Sequence, residues 1–228
     1  MYATLADVHT YLNIPTATTG DDALLNVLIA AAQQRIDDDV KRRFEATADE
    51  TRYYDAVLST DGRTLMLYAD LCNVTLVTAG GLTIPATEYI PDPRNTSPWG
   101  ALRIKSNSVY AWNFFTNPED AIEVTGRWAC MLRKPITSIA RATSVVTATL
   151  SETTGLTIGS KVYAASVTDT GFNGGFTLTA VTDTTITWAQ SGTNASSTGG
   201  AILYTPPTIR QACTRLTAWL YRQKDTQS

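Results

Sequence analysis

Apolar residues at Leu24, Leu25, Leu28, Ile29, Ala32, Ile36, Val40 and Phe44 recur close to a four-residue step, which gathers them on one helical face. The spacing predicts a long helix over about residues 21–44. A shorter helix precedes it. Leu5, Val8 and Leu12 share a face, Thr4 is placed to cap it, Asp7 completes a capping-box pattern and Pro15 closes it. Near the other end Ile209, Cys213, Leu216 and Leu220 step along a third helix, and Trp219 widens that stripe. Thr205 is its candidate cap, with Pro206 in the first turn, where a missing N–H costs nothing.

Between these helices the period changes. From Thr51 to Val124 short apolar runs, "TRYYDAVL", "TLMLY", "NVTLVTAGG", "LTIPATEYI", "GALRI" and "AIEVTGRW", are separated by turn residues, with strong turn signals at Asp61-Gly62 and Gly80-Gly81. They read as an antiparallel sheet of hairpins. Residues 136–204 hold only five charged residues, yet seventeen threonines and eight of the fourteen glycines. Strand alternation in "SVVTATL", "KVYAASV", "GFTLTAV" and "TITWA" predicts an inserted all-β barrel or sandwich. The expected fold class is therefore α+β: a small helical bundle with an antiparallel hairpin sheet, plus the inserted domain. The expected division is a core of residues 1–135 with 204–228 and an insert of residues 136–203.

Composition narrows the function classes. At 228 residues, 43% apolar and 17% charged, the chain has material for a real core. A net charge of −3 gives no global reason to hold nucleic acid, so any contact with DNA should be weak and non-specific. Cys72, Cys130 and Cys213 form no CxxC pair and read as reduced packing residues. The N-terminal stretch lacks the pattern of a signal peptide, and no apolar run approaches membrane-spanning length, so a protein that is not exported and not membrane-bound is expected.

Candidate chemistry is sparse. His9 is the lone histidine and reads as a surface or helix-packing residue, and no GxSxG, HExxH or GxxxxGK[ST] motif occurs. No enzyme, cofactor or metal is expected. The triplet Asp37, Asp38 and Asp39 raises a metal question, but successive helical residues point about 100° apart and fan rather than converge. Four-residue offsets instead match Asp37 with Lys41, Asp38 with Arg42 and Asp39 with Arg43, acid before base, at about 0.2–0.5 kcal/mol per pair. Two readings stay open: a self-neutralising polar face, or charges that pair between subunits. On the last helix Arg210, Arg215, Arg222 and Lys224, against Asp225, make either a solvated basic face or a docking surface.

The stretches "LADVHTYLNI", "DDALLNVLIAAAQQRIDDDVKRRF", "DGRTLMLYAD", "EDAIEVTGRW" and "TPPTIRQACTRLTAWLYRQKD", in that order, resemble the head-tail connector, or adaptor, proteins of tailed bacteriophages. The resemblance implies a structural virion protein that forms a ring, usually of twelve subunits, between the capsid portal and the next neck, stopper or tail protein. It extends the channel through which DNA passes. It places the long helices at subunit boundaries, so Asp37, Asp38, Asp39, Lys41, Arg42 and Arg43 become the expected subunit interface. It turns the C-terminal segment, residues 219–228, toward the portal, with Trp219, Tyr221, Arg222 and Lys224 as expected docking residues. The implied location is the virion neck, after assembly in the host cytoplasm. Another neck or tail-completion protein, or a β-domain binding module for a glycan or host protein, is the alternative.

Overall fold

The structure is a computed structural model that describes residues 1–15, 17–113 and 117–224. It is an α+β fold with helices and two large antiparallel sheets, and it divides into a helical unit, Met1–Glu45 with Thr205–Ser228, and a β unit, Ala46–Tyr204.

In the helical unit α1 (Leu5–Leu12) starts on the expected capping box. The Asp7 N–H donates to Thr4 Oγ1 at 3.1 Å, and the Thr4 N–H donates to Asp7 Oδ2 at 2.8 Å. Asn13 closes the helix in the left-handed region at φ 57. Helix α2 (Asp22–Val40) buries Leu25, Ile29 and Ala32, as its periodicity requires.

That helix is shorter than its pattern suggests. It stops at Val40, Lys41 turns left-handed at φ 55, and Phe44 is buried outside the helix. Phe44 packs edge-on against Tyr2, with centroids 5.9 Å apart, and its N–H donates to the Tyr2 hydroxyl at 2.7 Å. The burial of one aromatic ring and a satisfied amide outweigh a further helical turn. Lysine in that conformation carries a steric cost that glycine avoids. Lys41→Gly should therefore raise stability by about 0.5–1 kcal/mol, read from the denaturant midpoint at unchanged slope.

Helix α3 (Pro207–Gln223) departs from its expected stripe. Its buried residues are Cys213, Thr214, Thr217 and Ala218, all small enough for close helix approach, while Ile209, Leu216 and Leu220 are half-buried at the rim. Trp219 does not widen the stripe but is 53% exposed. The Thr214 and Thr217 hydroxyls donate back to the Arg210 and Cys213 carbonyls at 2.9 and 2.8 Å, which makes their burial affordable. Thr205 is not the cap. Pro206 occupies that position without a side-chain bond, and the Thr205 hydroxyl donates instead to the Phe44 carbonyl at 3.1 Å.

In the β unit the first sheet comprises β1 (Glu50–Tyr54), β2 (Thr60–Asp61), β3 (Thr64–Ala79), β4 (Leu82–Thr83), β5 (Tyr89–Asp92), β6 (Trp99–Ile104) and β7 (Ile122–Trp128). Its order is β1-β7-β3-β6-β5, with β2 and β4 paired to β3. The expected turns stand at Gly62 and at Gly80-Gly81, all at positive φ. The two runs "TLMLY" and "NVTLVTAGG" form one strand, because its register slips between Met66 and Leu71, with Tyr68 at φ 51, and pairing resumes beyond. Trp99, Trp112 and Trp128 are buried in the core of this sheet, beside Leu65, Leu102, Ile122 and Val124.

The second sheet comprises β8 (Leu132–Ala142), β9 (Val145–Leu150), β10 (Lys161–Ala165), β11 (Gly174–Thr177), β12 (Ala180–Val181), β13 (Thr185–Ala189), β14 (Ala195–Ser197) and β15 (Ala201–Tyr204). The order is β11-β10-β15-β8-β9-β13-β12, with β14 paired to β8. Its core centres on Trp188, fully buried and stacked on Phe176 at 5.1 Å. Strand β8 was not foreseen, since Pro135 breaks its run. It pairs with β15 on one stretch and with β9 and β14 on another, and it runs through residue 136. A buried seam of Cys72, Ala129, Met131, Tyr163, Ala165 and Leu203 joins the sheets, and Asn73 Nδ2 donates to Ser166 Oγ at 2.9 Å.

Candidate docking surface

The helical unit is tied by charged groups at its seams. Arg210 donates through Nε and Nη2 to the two oxygens of Asp7, the first at 2.9 Å, and so locks α3 to α1. His9 Nε2 lies 2.8 Å from Asp22 Oδ1, so the lone histidine is a buried packing residue between α1 and α2. The Tyr2 hydroxyl donates to Asp37, and burial is the main reason that its pKa is raised.

The acidic triplet is thus split. Asp37 is half-buried on Tyr2, Asp38 is exposed, and exposed Asp39 lies 3.6 Å from Arg35, one turn back. Because α2 ends at Val40, Lys41, Arg42 and Arg43 lie beyond the helix, so the expected i,i+4 helical geometry with the aspartates does not arise. All three bases are exposed. Among the described residues no group of three His, Cys, Asp or Glu side chains is placed to hold a metal ion.

Two of the four expected docking residues meet at a residue that the pattern did not single out. The Tyr221 hydroxyl donates to Asp21 Oδ2, and Lys224 Nζ lies 2.8 Å from the same oxygen. Lys224 also sits 4.0 Å from the Tyr221 ring centroid. Its hydrogen bond to Asp21 raises the Lys224 pKa, and the same bond, with that of Tyr221, lowers the Asp21 pKa. The legible signal was the position of Asp21 just before α2, where a carboxylate is favoured by the helix dipole. Trp219 and Arg222 are left exposed on the outer face of α3. Asp225 and the rest of the expected docking tail lie outside the described residues. Helix α2 likewise presents Leu24 and Val27 to solvent, the latter 65% exposed. Among the described residues no helix is long and apolar enough to cross a membrane.

Residues 2–64 of the 228 match the family described as Phage gp6-like head-tail connector protein. Neither the curated proteins nor the solved structures include a match to this chain. The matched stretch covers α1, α2, β1 and β2 and stops at Thr64, the first residue of β3.

Proposed function

We propose that this chain is a structural protein of the neck of a tailed phage particle, where it forms a ring between the capsid portal and the next neck, stopper or tail protein. The single observation that carries the reading is the connector-family match over residues 2–64. The ring, a dodecamer by the family resemblance, extends the DNA channel, and a net charge of −3 suits a conduit that should not retain the DNA sliding through it. Its work is mechanical and non-catalytic. Residues Asp37 to Arg43 line the boundary between subunits, where Asp38, Lys41, Arg42 and Arg43 are exposed. Trp219, Tyr221, Arg222 and Lys224 meet the portal, Tyr221 and Lys224 after release from Asp21 or together with it. The protein assembles in the host cytoplasm and resides in the virion neck.

Light scattering and negative-stain imaging of the purified protein, alone and with portal, test this. Rings, or portal-dependent rings, are expected, and a persistent monomer indifferent to portal sinks the proposal. Truncation after Leu220 should weaken portal attachment more than it lowers monomer stability.

Residues 136–203 are proposed as an insert facing away from the lumen. Because β8 crosses residue 136 and the seam buries Tyr163 and Leu203, a clean excision starts nearer Leu132 and needs polar replacements at Cys72 and Met131. Such a variant should keep the helical circular-dichroism signal, and loss of that signal would show that the second sheet is integral. A second reading, a β-domain binding module, is favoured by an open groove of about 630 Å³ lined by Ser138, Thr147, Thr149, Thr168, Ser196 and Thr198. Glycan binding by a ring-incompetent protein would decide for it.

A further inference from the structure

Helices α1 and α2 are each preceded by a residue able to cap, and the two residues behave differently. Thr4, at φ −95 and ψ 160, accepts from the Asp7 amide and completes the capping box of α1. Asp21 precedes α2 at φ −102 and ψ 4, and its side chain makes no capping bond. The Ala23 and Leu24 amides, which a cap would serve, find no acceptor among the described residues. The Asp21 carboxylate is turned instead to the far end of α3, where Oδ2 accepts from the Tyr221 hydroxyl and from Lys224 Nζ, the latter at 2.8 Å. A turn keeps the Asp21 backbone in this setting, with the Asp22 N–H donating to the Thr19 carbonyl at 3.1 Å. One carboxylate thus stands between two sets of donors and serves the distant one.

The observed contact is open to water: the Asp21 and Lys224 side chains are 46% and 33% exposed, so solvent competes for both. The unused contact is the favoured one for an aspartate just before a helix, and it sets the carboxylate on the positive end of the helix dipole. Loss of the first contact is therefore offset by gain of the second. We infer that Asp21 is a two-position latch, which holds Tyr221 and Lys224 against the start of α2 and, when a partner takes them, swings back to cap α2. Release needs a rotation of ψ at Asp21 toward the extended value seen at Thr4. It gives up the turn bond between Asp22 and Thr19, which the capping bond replaces. The latch deepens the docking role proposed above for Tyr221 and Lys224, and it rests on that reading only for the identity of the partner.

The test is amide hydrogen exchange on the full chain, followed residue by residue. Tyr221→Phe combined with Lys224→Met removes both donors from α3 and leaves Asp21 in place. Exchange at the end of α3 should then quicken, while the Ala23 and Leu24 amides should slow at least about threefold as Asp21 turns to them. Adding Asp21→Ala to the pair should abolish that slowing. A contact that only ties two helix ends would give no protection at α2. Unchanged or faster exchange at Ala23 and Leu24, or slowing that survives Asp21→Ala, overturns the latch. Portal attachment supplies the second arm. Asp21→Asn keeps a side chain that can cap but holds Lys224 without charge, so it should attach at least about threefold more tightly than wild type. Attachment that is weaker or unchanged overturns release as a step in docking. The expected exchange pattern, with neither protein attaching to portal, would support the latch and count against the portal as its partner.

Discussion

Replacing Arg210 with methionine should lower stability by about 2–3 kcal/mol, measured by chemical denaturation at neutral pH. The loss exceeds that of a surface ion pair because the side chains of Asp7 and Arg210 are only 18% and 25% exposed and meet through two hydrogen bonds. The pair joins residues 203 positions apart, the first helix to the last. Methionine preserves the apolar stem but strands a half-buried carboxylate that still serves the capping box. Burial by itself would raise the Asp7 pKa, but hydrogen bonds from Arg210 and from the Thr4 backbone and hydroxyl outweigh it, and the net shift is downward.

The sign of the pH dependence follows. A carboxyl whose folded pKa is depressed stabilises the fold fully above its unfolded value, about pH 4, and loses that contribution as pH falls toward the folded value. Wild type should therefore lose stability below about pH 4 more steeply than Arg210→Met, in which the main depressing partner is gone. Identical acid limbs for the two proteins would contradict the role given to this pair.

Gly126→Ala should cost at least about 3 kcal/mol, or prevent folding. A Cβ there would lie 2.1 Å from the Asn73 carbonyl oxygen and 2.9 Å from Leu71 Cδ1, and the first of these is backbone that cannot swing aside. Gly126 is held between two strands, opposite Glu50 on β1 and Val74 on β3, where the β3 register slips on either side of Val74. The irregular pairing brings the backbones too close for any side chain. Gly100→Ala is the matched control, since nothing lies within 4 Å of its added Cβ, and it should change stability by less than about 0.5 kcal/mol. Equal effects at the two positions would mean that the close approach at Gly126 does not exist in solution.

Local rules carried much of the architecture. The capping box at Thr4 and Asp7, the buried stripe of α2 and the turns at Gly62 and Gly80-Gly81 depend on residues only a few positions apart, so the chain order alone displays them. The change of period between helical ends and β middle likewise announced an α+β fold. The candidate docking surface was less legible. Tyr221 and Lys224 could be named as polar residues on a terminal helix, but their common partner Asp21 is about two hundred positions away, and no spacing rule connects them.

By itself, then, the sequence determined where the chain prefers helix or strand, which faces are apolar and where it turns, because propensity, capping and periodicity act within one or two turns of backbone. Tertiary structure decided what competes over distance. It ended α2 at Val40 because Phe44 gains more against Tyr2 than in another turn. It made a strand of residues 132–142 despite Pro135, because β9, β14 and β15 supply the pairing. It left Trp219 in water because small residues bring α3 closer to its neighbours than an indole permits.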